Sequence, residues 1–136
     1  MRIKINPDQT ITLFVQVKGP RGTREFRAAV DTGCTDCIIP LQDARNLGYN
    51  AVFEPFTRTG EGQLAISTTD IYETDEISLQ EVRIGELVAT NVMAMTRELP
   101  RLAGIEGVVG VSFLRHFNVH FNFGEGYLEI EPITKP

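Results

Sequence analysis

The chain reads Ala-Ala-Val-Asp-Thr-Gly-Cys at residues 28–34, and this stretch decides the fold. The small apolar residues before Asp31 are typical of a buried strand, because strands are short apolar segments bounded by turn residues. A carboxylate there is costly to bury unless it has partners. Thr32 can hydrogen-bond neighbouring backbone, and Gly33 permits close approach of another backbone or a ligand. The stretch predicts a turn organised around Asp31, although Asp-Thr-Gly alone also occurs in ordinary surface turns.

Outward from this turn, the sequence predicts many short strands with frequent turn residues between them. The predicted strand segments are residues 3–5, 11–17, 24–30, 38–39, 51–56, 64–79, 82–85, 87–95, 107–109, 119–123 and 127–130. One short helix is predicted over 41–47 with Gly48 as its stop, and a second after Gly110 with Ser112 as a possible cap. So many strands with so few helical residues indicate an all-β closed or folded sheet.

Composition excludes several classes of function. The 136 residues predict a single domain spanning 1–136, and the net charge of −5 argues against nucleic acid as a partner. Six acidic residues lie between Asp70 and Glu86, a run typical of a solvated face. The absence of a leader-like segment or a long apolar run predicts a soluble, cytoplasmic protein with no membrane partner.

The sequence gives little support to other catalytic or binding motifs. Cys34 and Cys37 are spaced C-x-x-C, but without a second pair or suitable histidines they are better interpreted as two small buried thiols than as a zinc or redox site. His116 and His120 are four residues apart, but a change from helix to strand between them would spoil a metal-ligand pair. No nucleophile elbow, P-loop or H-E-x-x-H motif is present. We therefore expect no metal and no cofactor.

The remaining candidate is a catalytic site in which a pair of carboxylates activates water. Two neighbouring carboxylates share a proton, so that one serves as general base and the other as general acid. The chain contains Asp-Thr-Gly only once, at Asp31. A two-fold homodimer would supply the second carboxylate, because an isologous interface can bring a residue near the axis against its own copy.

Three separated elements of the chain together resemble the retropepsin-like aspartic proteases. The resemblance is to the bacterial single-domain members rather than to the shorter retroviral enzymes. The three elements are Ala-Val-Asp31-Thr-Gly, a glycine-tipped hairpin about 30 residues later, and the late Val-Val-Gly110 before a short helix. The resemblance spans roughly residues 11–130. It implies an all-β closed barrel with a flap hairpin, acting as a homodimeric endopeptidase on a peptide or protein substrate.

The resemblance also implies roles for individual residues. Asp31 would be the catalytic carboxylate, Thr32 the hydroxyl that joins the two active-site loops, and Gly33 a backbone donor near the carboxylate. The support behind the loop would include Cys34 by position and the element Val108, Val109 and Gly110. The substrate-binding flap would comprise Arg58, Thr59, Gly60, Glu61, Gly62 and Gln63, and would close over an extended peptide paired as an added strand.

The sequence departs from the family pattern at three positions. Cys34 replaces the usual Ala or Ser, which raises the hypothesis that activity is sensitive to oxidation. Thr35 and Val111 stand where retroviral members carry a paired acid and arginine, so dimer stability must come from elsewhere, with the N-terminal segment 1–10 as one candidate. The alternative function is a non-catalytic retropepsin-fold module that dimerises or binds peptides, and a thiol-redox protein is a third.

Overall fold

The computed structural model describes residues 1–49, 75–98 and 104–134. The strands are β1 (Arg2–Lys4), β2 (Thr12–Gly19), β3 (Gly22–Val30), β4 (Cys37–Ile39), β5 (Glu76–Ile84), β6 (Leu87–Thr96), β7 (Gly107–Val109), β8 (Phe117–Asn122) and β9 (Tyr127–Pro132). The helices are α1 (Leu41–Ala44) and α2 (Val111–Leu114), and α1 continues into a π-helical turn, Arg45–Tyr49. The expected all-β class is confirmed.

Six strands form a closed barrel in the order β2-β3-β7-β4-β6-β5. Alternate residues of β2 point inward, so that Leu13, Val15 and Val17 are buried while Phe14 is exposed. This is the two-residue period expected of a strand with one face on the core. The barrel therefore has a continuous apolar interior that supports the loops at its strand ends.

The strand that carries Asp31 is held on both sides. β3 pairs antiparallel with β2 and parallel with β7, with Ala28 opposite Gly107 and Val30 opposite Val109. β7 also pairs antiparallel with β4 through Ile38 and Val108. The ends of β3 and β7 therefore meet at one edge of the barrel, and Asp31 follows directly.

A separate three-stranded sheet joins the two ends of the described chain, in the order β1-β9-β8. Arg2 lies opposite Glu129, and the amino group of Met1 donates a hydrogen bond to the Ile130 carbonyl at 2.8 Å. The N-terminal segment thus pairs within its own chain.

Two sequence-based expectations need correction or refinement. Ser112 is not the cap of α2: the N-cap position is Gly110, and Ser112 is buried inside the first turn. The helical segment runs to Tyr49, one residue past the predicted stop, but Gly48 interrupts its backbone with a φ of 97°, in the left-handed region that favours glycine. No helix in the described ranges is long and apolar enough to span a membrane.

Candidate active site

Asp31 lies in the turn that follows β3, and its backbone is anchored to β7. The Asp31 amide donates to the Val109 carbonyl at 3.0 Å, which extends the parallel β3–β7 pairing by one residue. The Cys34 amide donates to the Asp31 carbonyl at 3.2 Å and closes the turn. The side chain of Asp31 is exposed in the single chain. A fixed backbone with an exposed carboxylate can present that carboxylate to a ligand or to another subunit.

Each oxygen of the Asp31 carboxylate accepts one hydrogen bond. The Gly33 amide donates to Oδ1 at 2.8 Å, and the Cys34 thiol donates to Oδ2 at 3.4 Å. Burial is the main cause that raises the pKa of the Cys34 thiol, and the hydrogen bond to Asp31 adds to it. The thiol therefore keeps its proton over the pH range in which a carboxylate ionises, and acts as the donor.

The segment 110–112 packs against the Asp31 turn, as the family resemblance implied for Gly110. The Val111 amide donates to the Cys34 carbonyl and the Ser112 amide to the Thr35 carbonyl, both at 2.8 Å. A methyl group at Gly110 would lie 2.5 Å from the Asp36 carbonyl oxygen and 2.7 Å from that of Cys34. Only a residue without a side chain allows this close approach of the two backbones.

The remaining predicted support residues differ in exposure. Val109 is buried in the barrel core and Val108 is half-buried beside it, whereas Thr32 is exposed. Val111, at 36% exposed, lies on the surface just beyond Gly110. The structure thus brings Asp31, Gly33, Cys34 and Gly110 together, while the role expected of Thr32 concerns a second subunit and stays a prediction. The predicted flap, residues 58–63, lies outside the described residues.

Ser112 is a site residue that sequence reasoning assigned wrongly. Its hydroxyl donates to the Met93 carbonyl at 2.7 Å and accepts a hydrogen bond from the Cys37 amide at 3.0 Å. It thereby ties α2 to β4 and β6. Serine at the start of a helix usually caps it, but here Gly110 occupies that position and Ser112 is turned inward by the adjoining strands.

The two cysteines occupy different environments. Cys37 is 3% exposed, and its sulfur lies 3.4 Å from the Ser112 hydroxyl and 3.5 Å from the Gly110 amide, which confirms the expected buried thiol. Cys34 is only half-buried because it belongs to the Asp31 turn, so the expectation of a second buried thiol is wrong. Both are free cysteines.

His116 and His120 do not form a ligand pair. His116 lies in the turn after α2, whereas His120 lies in β8 and contacts Tyr127 edge-on with ring centroids 6.1 Å apart. Within residues 1–49, 75–98 and 104–134, no three His, Cys, Asp or Glu side chains are grouped so that they could hold a metal ion.

Thiol chemistry should reflect these environments. Because the pKa of Cys34 is raised and the thiolate is the reactive form, we expect iodoacetamide at pH 7 to alkylate Cys34 more slowly than N-acetylcysteine amide. The rate should rise with pH. Cys37, whose pKa is also raised by burial, should react only on unfolding. Mass spectrometry of the labelled peptides measures both, and faster labelling of Cys34 than of the free thiol at pH 7 would contradict the assignment.

Comparison with known proteins identifies the family and the fold of the chain. A family model described as aspartyl protease matches residues 15–113, which is more than two thirds of the chain. No curated protein matches the chain in sequence. Among solved structures, the chain is similar to a retropepsin-like aspartic protease from Rickettsia conorii, with 24% identity and a TM-score of 0.61, over 96% of this chain and 88% of that one. The chain therefore belongs to the aspartyl protease family and has the retropepsin-like fold.

Proposed function

We propose that this protein is a homodimeric aspartic endopeptidase in which each subunit contributes one Asp31 to a shared site. The observation that carries the proposal is the Asp31 carboxylate itself, exposed at the end of β3 while both of its oxygens accept hydrogen bonds from its own turn. Fixed orientation with open access is what a general base requires. Family membership supports the reaction class.

The chemistry needs two carboxylates that share one proton. The ionised Asp31 accepts a proton from water as the water oxygen bonds to the carbonyl carbon of the peptide. The protonated Asp31 of the other subunit donates its proton to the carbonyl oxygen. The tetrahedral intermediate then collapses. The first Asp31 gives its new proton to the amine nitrogen as the C–N bond breaks, and a hydroxyl proton of the intermediate returns to the other Asp31, so that the two carboxyls again share one proton.

One chain supplies half of this arrangement, since Asp-Thr-Gly occurs once in the sequence. A two-fold axis close to the Asp31 turn would bring the two carboxylates together and would also bury the exposed Thr32. Val111, which directly follows Gly110, is exposed and its amide bonds to the Cys34 carbonyl, so its side chain could contribute apolar area to the contact. The single-domain organisation, the cytoplasmic location and the flap stay predictions from sequence.

The test is the dependence of cleavage on protein concentration. We expect the rate of cleavage of an unfolded protein substrate to rise with the square of protein concentration below the dimer dissociation constant, and linearly above it. Sedimentation equilibrium in the same buffer gives that constant, and pepstatin should inhibit the cleavage. A rate that is linear through the monomer range would overturn the shared site. A stable dimer without cleavage at any pH from 3 to 8 would favour the peptide-binding alternative.

A further inference from the structure

We propose that Cys34 is a positioning residue for the Asp31 carboxylate, which its thiol holds through Oδ2. The proposal rests on the catalytic role proposed for Asp31 and concerns how this chain, with cysteine after the Asp-Thr-Gly turn, orients and tunes that group. Cys34 does not react with substrate here; it acts through Asp31.

The geometry fixes the plane of the carboxylate from two sides. Gly33 donates to Oδ1 at 2.8 Å and Cys34 to Oδ2 at 3.4 Å, and in the described part of the chain these are the two hydrogen bonds that the carboxylate accepts. A carboxylate with a donor on one oxygen can still rotate about χ2, because that terminal torsion is soft. A second donor on the other oxygen restricts this rotation.

Cys34 is itself held in place by its backbone. Its amide donates to the Asp31 carbonyl at 3.2 Å, and its carbonyl accepts from the Val111 amide at 2.8 Å. The residue is thus fixed between the Asp31 turn and the segment after Gly110. These two backbone contacts fix the position from which the half-buried side chain reaches Oδ2 of Asp31.

The hydrogen bond also has an electrostatic consequence. A donor stabilises the ionised carboxylate more than the neutral acid, so its loss makes the carboxylate easier to protonate. A hydroxyl is a stronger donor than a thiol. The pH at which kcat/KM falls on the acidic side of its profile, here called the acidic limb, should therefore be highest for Cys34→Ala, intermediate for the parent and lowest for Cys34→Ser.

The experiment compares Cys34→Ala and Cys34→Ser with the parent under reducing conditions, and uses Cys37→Ala as the matched control. The Cys37→Ala change removes a thiol three residues away that does not contact Asp31. We expect Cys34→Ala to move the acidic limb upward by about 0.5–1 pH unit, the range for a hydrogen bond weaker than a typical one to a charged group. Cys34→Ala should also lower kcat by about 3- to 10-fold with KM little changed. Cys34→Ser should instead move the limb below that of the parent and keep kcat at or above the parent value.

The Cys37→Ala control separates a specific effect on the Asp31 carboxylate from a general loss of stability. Cys37→Ala is expected to lower the melting temperature without moving the limb. Identical pH profiles for the parent, Cys34→Ala and Cys34→Ser would overturn the proposal, and so would an equal shift in Cys37→Ala.

A second readout keeps the inference independent of cleavage. The pH titration of the ¹³Cγ resonance of Asp31, measured by NMR in the parent and in Cys34→Ala, needs no activity. If the parent proves inactive, the proposed function fails, but a midpoint that rises in Cys34→Ala still supports the positioning contact. An unchanged midpoint overturns the contact even in an active enzyme.

Discussion

Replacing Asp31 by asparagine is expected to lower kcat/KM for peptide cleavage by at least about 10³-fold, because the amide can neither accept a proton from water nor share one with its partner. The fold should survive. Asparagine retains an oxygen that can accept the Gly33 hydrogen bond, and the side chain is exposed, so the free energy of unfolding should change by less than about 1 kcal/mol.

The matched control is Glu86→Gln, the same carboxylate-to-amide change at an exposed residue in the turn between β5 and β6. Its kcat/KM should stay within about twofold of the parent, since surface substitutions away from a site have small effects. Thermal unfolding and sedimentation should show the same folded dimer for both variants. Cleavage by Asp31→Asn above about a tenth of the parent rate, far more than loss of a general acid–base group allows, would remove Asp31 from the mechanism.

Mixing the two proteins tests whether one site uses both copies of Asp31. At fixed total concentration with equal amounts of parent and Asp31→Asn, random two-fold pairing leaves about one quarter of the dimers with two carboxylates. We therefore expect about a quarter of the parent activity once subunits have exchanged. Retention of half the activity would mean that each subunit acts alone, and the shared site would be wrong.

The turn around Asp31 could be predicted from sequence because its information is local. A short apolar strand, Asp31 and Gly33 lie within a few residues of one another, and β2 has the alternating burial that its β-branched and aromatic residues favour. The order of the barrel strands, in contrast to the Asp31 turn, is not encoded by neighbouring residues. The parallel pairing of Ala29 with Val108 joins residues far apart in the sequence, so no local pattern indicates it. The resemblance to a family implied only that Val108, Val109 and Gly110 support the Asp31 turn.

The contacts within the site could not be predicted in the same way. Ser112 looked like a helix cap because serine commonly has that role, yet its hydroxyl bonds to Met93 and Cys37. Tertiary packing overrode the local preference, since Gly110 already occupies the cap position. The hydrogen bond from Cys34 to Asp31 likewise depends on the side-chain direction that the turn imposes, which residue identity alone does not show.

Gly110→Ala is expected to lower both stability and activity. The backbone at Gly110 has φ −102° and ψ −170°, an extended conformation that alanine adopts without strain. The whole cost therefore comes from contact: the added methyl would lie 2.5 Å from the Asp36 carbonyl oxygen and 2.7 Å from that of Cys34. Backbone atoms cannot swing aside as a flexible side chain can. We expect a loss of about 3 kcal/mol, the upper part of the range for overpacking, and a fall of about 10 °C in melting temperature.

Activity should fall further than the loss of stability explains, because one of the two obstructed carbonyls belongs to Cys34. Relief of the contact requires the 34–36 segment to move away from Gly110, and the Cys34 thiol would move with it, away from Oδ2 of Asp31. A displacement of about 1 Å in a positioned group can cost about 10²-fold in rate. Gly124→Ala is the control, since its methyl would meet only the Asn122 Oδ1 at 3.6 Å, an ordinary contact. Measured well below the melting temperature, kcat should drop in Gly110→Ala and not in Gly124→Ala. Equal melting temperatures and equal kcat for the two variants would show that the Gly110 segment does not press against the Asp31 turn.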